Sequence, residues 1–155
     1  MRNLDSTKAI IAAIVAAATF VTSAAETSDQ RLLNAHAEPH NWIHHHRTYD
    51  AQRFANLTQI NRSTIKQLKV AWTYALGGTM GGGIWPIAGL EATPLVEDGF
   101  MYAIDGWGVV TKIDVRKGRA KFVWRMDPAT DKDWAGEIAC CGVDNKGVAL
   151  WGNAV

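Results

Sequence analysis

The sequence has few cysteines, almost no net charge and no long hydrophobic run, and each shortage narrows what the protein can be. Its 155 residues include two cysteines, 16 basic and 15 acidic side chains, for a formal net charge of +1. This near-neutral balance gives no electrostatic attraction to DNA or anionic lipid. The uncharged run at residues 9–21 is too short for a stable membrane span, since 13 residues extend only about 20 Å as a helix.

The amino terminus has the three-part pattern of a secretory leader. Arg2 and Lys8 precede the uncharged run, and small residues follow it. We expect a signal peptide over residues 1–25, cut after Ala25 or one residue earlier, and a mature domain over residues 26–155. A buried amino-terminal helix is the alternative. Without the leader the chain carries 14 basic and 14 acidic side chains, and export implies an oxidising compartment.

Glycine and tryptophan are plentiful, at 14 and seven residues. Together they favour short aromatic-rich strands joined by tight turns over a helical bundle. Strands are predicted at residues 93–96, 100–104, 109–115 and 121–126, with glycine-containing turns between them. Four antiparallel strands this close make one sheet unit the size of a propeller blade. The predicted fold class is therefore all-β.

The flanking sequence is less regular. We expect an irregular histidine-rich segment at residues 26–47, a short helix at 61–68, a strand at 70–76, a loop at 77–89 and the start of another strand at 149–151. A lone blade exposes both of its faces. The sequence is therefore expected to be part of a larger protein and to be inactive alone.

Cys140 and Cys141 are adjacent in a chain predicted to be exported. A disulfide between neighbours closes an eight-membered ring, which stores backbone strain and forms a rigid, flat, polarisable platform. It closes almost no loop, so a ligand surface explains such a ring better than stabilisation does. Two buried thiols, or bonds to other chains, fit the residues equally well.

Five histidines lie close together, at positions 36, 40, 44, 45 and 46. Consecutive side chains point to opposite faces of a strand or fan out around a helix, so this spacing opposes a shared metal ion and favours surface or packing roles. The glycines at positions 81–83 match neither a dinucleotide nor a phosphate loop. We expect them to give flexibility near a ligand mouth.

Two charged residues are candidates for ligand binding. Glu91 precedes the first predicted strand, where a carboxylate can accept hydrogen bonds from a polar ligand. Lys146 lies five residues after Cys141, where it can supply positive charge to an anion. An exposed glutamate at a strand start and an ordinary surface lysine are the alternative interpretations.

Three stretches of this sequence carry a family resemblance. They comprise Trp42, Arg47, Thr48, Tyr49, Asp50, Phe54, Leu57, Ile60, Asn61, Leu68 and Trp72; Glu91, Thr93, Pro94, Gly99, Met101 and Tyr102; and Cys140, Cys141, Asn145, Gly147 and Trp151. Together they resemble the amino-terminal part of the pyrroloquinoline-quinone (PQQ)-dependent alcohol dehydrogenases, the eight-bladed β-propeller quinoproteins of the bacterial periplasm. The resemblance covers nearly all of residues 26–155, which would hold an entry segment, one blade and the start of the next.

The resemblance implies oxidation of a small primary alcohol to an aldehyde, with PQQ as electron acceptor and a periplasmic acceptor such as a cytochrome c downstream. It implies a disulfide between Cys140 and Cys141 against one face of the quinone, and cofactor contacts from Glu91 and Lys146. The calcium or lanthanide ion that polarises the quinone, and the catalytic aspartate base, would use residues of later blades. No catalytic or metal-ligating residue is therefore assigned within this sequence.

Two positions depart from the family pattern. Lys146 stands where the family usually has an arginine, which keeps the charge but loses the planar two-pronged donor. Phe122 stands where a tryptophan usually follows Gly118, with Trp124 two residues later, so we expect that blade to pack differently. The rival interpretations are a propeller scaffold that binds without catalysis and a small independent secreted domain. The cysteine pair and Glu91 oppose the first of these rivals.

Overall fold

The computed structural model describes residues 26–78, 80–82, 85–138 and 142–155. Its elements in chain order are α1 (Asp29–Leu33), 3-10 turns at Ala35–Ala37 and Ile65–Gln67, β1 (Met80–Gly82), β2 (Trp85–Ile87), β3 (Leu95–Glu97), β4 (Phe100–Ile104), β5 (Val110–Asp114), β6 (Lys121–Met126) and α2 (Lys132–Ile138). The expected signal peptide at residues 1–25 lies outside the described residues. Within the described ranges, the structure contains no helix long and apolar enough to cross a membrane.

The four predicted strands form one antiparallel sheet in the order β3-β4-β5-β6. Strands β4 and β6 have the predicted bounds, and β3 and β5 differ from them by one or two residues. The β3–β4 connection is a two-residue turn in which Asp98 and Gly99 both have positive φ, 49° and 79°. Such a turn matches the twist of the strands that it joins. The local sequence therefore determines this hairpin.

The last strand contains a β-bulge. Lys112 pairs with Trp124, but the next residue, Ile113, pairs with Phe122, so one residue of β6 has no partner in β5. The Trp124 ring lies 6.3 Å from the Tyr102 ring, whereas 53% of Phe122 is exposed. The departure noted in the sequence thus coincides with a bulge that places Trp124, rather than Phe122, against the core.

The hydrophobic core lies on one face of the sheet, under the amino-terminal segment. Its buried members are Ala35, Ile43, Leu95, Tyr102 and Leu150, with Leu32, Trp42, Phe100, Trp124 and Val148 packed against them. Backbone hydrogen bonds in both directions join Trp42 to Val96 on the free edge of β3, at 2.7 and 3.0 Å. The segment at 26–47 is therefore a structural part of the blade, not a loose covering.

Two helices were not expected from the sequence. In α1, the Ser28 hydroxyl accepts a hydrogen bond from the Arg31 backbone at 3.3 Å, and Asp131 accepts one from the Trp134 backbone of α2 at 3.0 Å. Both are helix-capping interactions that satisfy donors without a partner inside the helix. The predicted irregular segment therefore contains α1, and the short helix expected at 61–68 is a single 3-10 turn, Ile65–Gln67.

Three further expectations were wrong. Residues 70–76 form no strand: their side chains alternate between exposed and half-buried, but the structure gives their backbone no ladder partner among the described residues. The expected loop at 77–89 contains the hairpin β1–β2, in which Met80 pairs with Ile87. Residues 149–151 do not begin a strand, and among them only Trp151 makes a bridge, to Ala154.

Candidate functional site

Three chain segments meet at the turn between β4 and β5: residues 88–89, the turn itself at Gly106, and the segment that contains Val143. The Gly89 backbone N–H donates a 2.6 Å hydrogen bond to the Val143 carbonyl, and Ala88 forms a parallel bridge with Val143. Gly106 at the turn fits closely between them, because a Cβ at this position would lie 2.9 Å from both the Ala88 Cβ and the Val143 carbonyl oxygen. Only glycine permits this approach without displacing the backbone.

A buried carboxylate organises the turn that carries Gly106. Asp105 is 2% exposed, and its Oδ1 accepts hydrogen bonds from the backbone N–H groups of Trp107 and Val109 at 2.9 and 3.0 Å. The Trp107 indole in turn donates to the Met80 carbonyl of β1 at 2.6 Å. These bonds fasten the β1–β2 hairpin to the sheet and so position the segment that leads to Glu91.

The converging segments bring two of the predicted ligand-binding residues together. Lys146 donates one hydrogen bond to Glu91 Oε2 and another to Asp144 Oδ2, the second at 2.5 Å. Glu91 and Lys146 are thus in contact although 55 positions separate them in the sequence. Their side chains are 55% and 71% exposed, and that of Asp144 is 24% exposed. The ion-paired groups face solvent, where a ligand can reach them.

Asp144 and Lys146 stabilise each other's charged forms. Hydrogen bonding from Lys146 holds the pKa of Asp144 below its usual value. The hydrogen bonds to Asp144 and Glu91 raise the pKa of Lys146 above its usual range. Counted formally, one ammonium group faces two carboxylates, which gives the trio of Glu91, Asp144 and Lys146 a charge of −1.

An open cavity of about 660 Å³ adjoins the ion-paired trio. It is lined by Gly106, Trp107, Val143, Asp144, Asn145 and Val148, among other residues. Asp144 is the one member of the trio that also borders the cavity. The charged groups thus lie beside an open concave surface with both polar and apolar lining, which offers room for a small molecule.

The two predicted cysteines are not among the described residues, and one residue of the site was not predicted. Cys140 and Cys141 lie outside the described residues, so their pairing and their cofactor contact stay predictions. Asp144 was missed by the sequence analysis. Asp144 lies two positions before Lys146, but the sequence does not show that the two side chains lie on the same side of the chain; the structure does.

The histidine-rich segment shows two groupings. Arg53 donates to His46 Nδ1 at 2.9 Å and lies 3.3 Å from His45 Nε2, so these ring nitrogens face a cation. Among the described residues, one set has the spacing of metal ligands: Glu38, His40 and Asp98. Both of its carboxylates already accept hydrogen bonds from Arg31 and Asn41.

Comparison with known proteins defines the class. The sequence model of the PQQ glucose/ethanol/alcohol dehydrogenase β-propeller domain matches residues 42–154. The chain belongs to this family, whose members are quinone-dependent oxidoreductases. The predicted family and its β-propeller fold are thereby confirmed.

Particular relatives narrow the comparison. The chain is 42% identical over 127 residues to quinohemoprotein alcohol dehydrogenase ADH-IIG of Pseudomonas putida. The aligned residues make up 82% of this chain and 16% of that protein. It is 40% identical over 98 residues, 63% of this chain and 13% of the relative, to a 1-butanol dehydrogenase (cytochrome c) of Thauera butanivorans.

Solved structures agree. The structure of ADH-IIG aligns with a TM-score of 0.68 and 40% identity, over 83% of this chain and 17% of that one. A europium-containing methanol dehydrogenase aligns with a TM-score of 0.65 and 26% identity, over 79% and 20% of the two chains. This chain thus spans about one sixth of the length of the first of these relatives.

Proposed function

We propose that these residues belong to a PQQ-dependent dehydrogenase that oxidises a small primary alcohol to an aldehyde in the periplasm and passes the electrons to an acceptor such as a cytochrome c. The contact between Glu91 and Lys146 is the observation that carries the proposal. It brings the Glu91 carboxylate, a hydrogen-bond acceptor, into contact with the Lys146 cation. The contact lies where Gly106 lets the two segments approach, next to the cavity of about 660 Å³. The adjacent cysteines lie in the same stretch of sequence as Lys146.

The side chains fit such a cofactor in kind. PQQ bears carboxylates, which an ammonium group binds, and polar ring atoms, for which a carboxylate can serve as acceptor. When bound, the quinone supplies the electron sink that amino-acid side chains lack. A calcium or lanthanide ion is part of the proposal, and its ligands would come from residues outside this sequence.

Each residue then has a defined task. Lys146 holds a carboxylate of the cofactor and so fixes its orientation, while Glu91 accepts a hydrogen bond and is itself held in place by Lys146. We assign Cys140 and Cys141 to one face of the quinone as a disulfide ring, which shields that face from water. Gly106 keeps the two ligand-bearing segments in register. Residues 1–25 are the proposed export signal.

The proposal is tested on the complete gene product. The apo protein is supplied with PQQ and either calcium or a light lanthanide, and dye-linked oxidation of short primary alcohols is followed. We expect activity that depends on both additions and that falls sharply in the Cys140→Ala, Cys141→Ala double variant. A protein that binds no quinone would instead be a propeller scaffold without this activity.

A further inference from the structure

Lys146 already has two anionic partners in this structure. Asp144 and Glu91 both accept hydrogen bonds from its Nζ. An ammonium group has three donors, so a ligand carboxylate that approaches Nζ must use the remaining one or displace a resident carboxylate. For the binding of an anion, the charge around Lys146 matters more than its number of donors. A cofactor carboxylate is repelled by the trio of Glu91, Asp144 and Lys146, because the formal charge of the trio is −1.

The two resident carboxylates are not equivalent. Asp144 is two residues from Lys146 on the same segment, is 24% exposed and also borders the cavity. Glu91 is on a different segment and is 55% exposed. Asp144 is therefore the more persistent partner of Lys146 and the carboxylate closer to a cavity-bound anion.

From this arrangement we propose that Asp144 sets the affinity of the site for its anionic cofactor: it competes with a quinone carboxylate for Lys146 and repels that carboxylate. The inference rests on the proposed function, since it takes PQQ as the ligand. Asp144 acts through Lys146 and is a positioning residue. It lowers affinity without taking part in the oxidation.

The test is a quinone titration of the apo form of the complete gene product, followed by quenching of intrinsic tryptophan fluorescence. Asp144→Asn keeps the shape and an acceptor oxygen but removes the charge, which brings the trio to neutrality. We expect the Kd for PQQ to fall about tenfold, as removal of one like charge a few ångströms from the ligand carboxylate predicts. A second variant, Asp144→Ser, removes the same charge with a different shape.

A modified ligand isolates the cause. With the trimethyl ester of PQQ, which has no carboxylate, Asp144→Asn should leave the Kd unchanged. The increase in affinity for PQQ itself that Asp144→Asn produces should shrink to less than about threefold in 0.5 M salt, where charges are screened over roughly 4 Å.

The matched control is Asp114→Asn. Asp114 also pairs with a cation two residues later, Arg116, at 2.7 Å. It is the last residue of β5, whereas the candidate site lies near the turn that precedes the first residue of β5. The Asp114→Asn variant should have the wild-type Kd for both PQQ and its trimethyl ester. Equal or weaker PQQ binding in both Asp144 variants, or an equal gain with the ester, overturns the inference while the proposed function stands. A wild-type protein that binds no quinone overturns both.

Discussion

At the scale of single residues, Arg31 does the most to attach the amino-terminal segment to the sheet. Its side chain is 8% exposed, and its guanidinium pairs with Glu97 at 2.5 Å, Glu38 at 2.9 Å and Asp98 at 3.3 Å. The Asn41 amide bridges Glu38 and Asp98 at 2.6 and 3.1 Å. No local pattern predicts this network, because its members meet only after the chain has folded.

Replacing Arg31 should therefore loosen α1. In Arg31→Met three carboxylates lose their cation, and removal of one partner from a largely buried ion cluster costs about 3 kcal/mol. Native-state hydrogen exchange of the α1 amides should then accelerate about 100-fold. Arg125→Met is the control, since its pair with Asp127 is long and exposed and contributes less than about 1 kcal/mol. Similar exchange rates in the two variants would contradict this role.

The same cluster predicts sensitivity to acid. Hydrogen bonding from Arg31, against the opposing effect of burial, holds the pKa of Glu38 below its usual value. A lowered folded-state pKa contributes stability that is present above the unfolded value, about 4.3, and is lost as the pH falls through the folded value. The α1 amides of wild type should lose protection between pH 5 and pH 3.

Glu38→Gln provides the comparison for that titration. It should be less protected than wild type at pH 6 and should converge with it at low pH, after exchange rates are corrected for intrinsic chemistry. A wild-type protein and a Glu38→Gln variant with parallel pH profiles would show that this carboxylate has no such role.

At the scale of elements, the structure shows what local sequence can specify. The β3–β4 hairpin was predicted because Asp98-Gly99 favours a turn with two positive φ angles. The β1–β2 hairpin was missed because its glycine content suggested a loop, whereas its position depends on Trp107 and Asp105 from a distant turn. The strand expected at 70–76 has the right alternation, but alternation does not supply a partner.

Two neighbouring glycines give a matched test of how the hairpin is held. Gly77 and Gly78 both have positive φ, 83° and 64°, but a Cβ at Gly78 would lie 2.2 Å from Asp105 Oδ2, whereas one at Gly77 meets nothing within 4 Å. Gly77→Ala should cost about 1 kcal/mol in backbone strain.

Gly78→Ala should cost about 2 kcal/mol more, because the buried Asp105 carboxylate must move as well. Thermal midpoints of the two variants measure the difference. Equal midpoints would mean that Gly78 does not pack against Asp105 in solution.

At the scale of the whole molecule, the candidate site depends on contacts that no short segment encodes. Glu91 and Lys146 were candidates for ligand binding from their own chemistry, and the family resemblance gave them a cofactor role. The structure places them together because Gly106 lets their segments approach. The sequence could not show that Asp144 shares the ammonium, since this depends on how residues 144–146 turn in the folded chain. The disulfide between Cys140 and Cys141 and its contact with the quinone stay predictions.

The central claim is that Glu91 and Lys146 form part of a quinone site, and a titration of the apo gene product with PQQ tests it most directly. Lys146→Met should weaken binding at least about tenfold, the scale of one lost charge-assisted hydrogen bond. Lys66→Met, which removes an exposed lysine elsewhere, should bind PQQ as wild type does. Unchanged affinity in Lys146→Met would contradict the account and would place the quinone elsewhere.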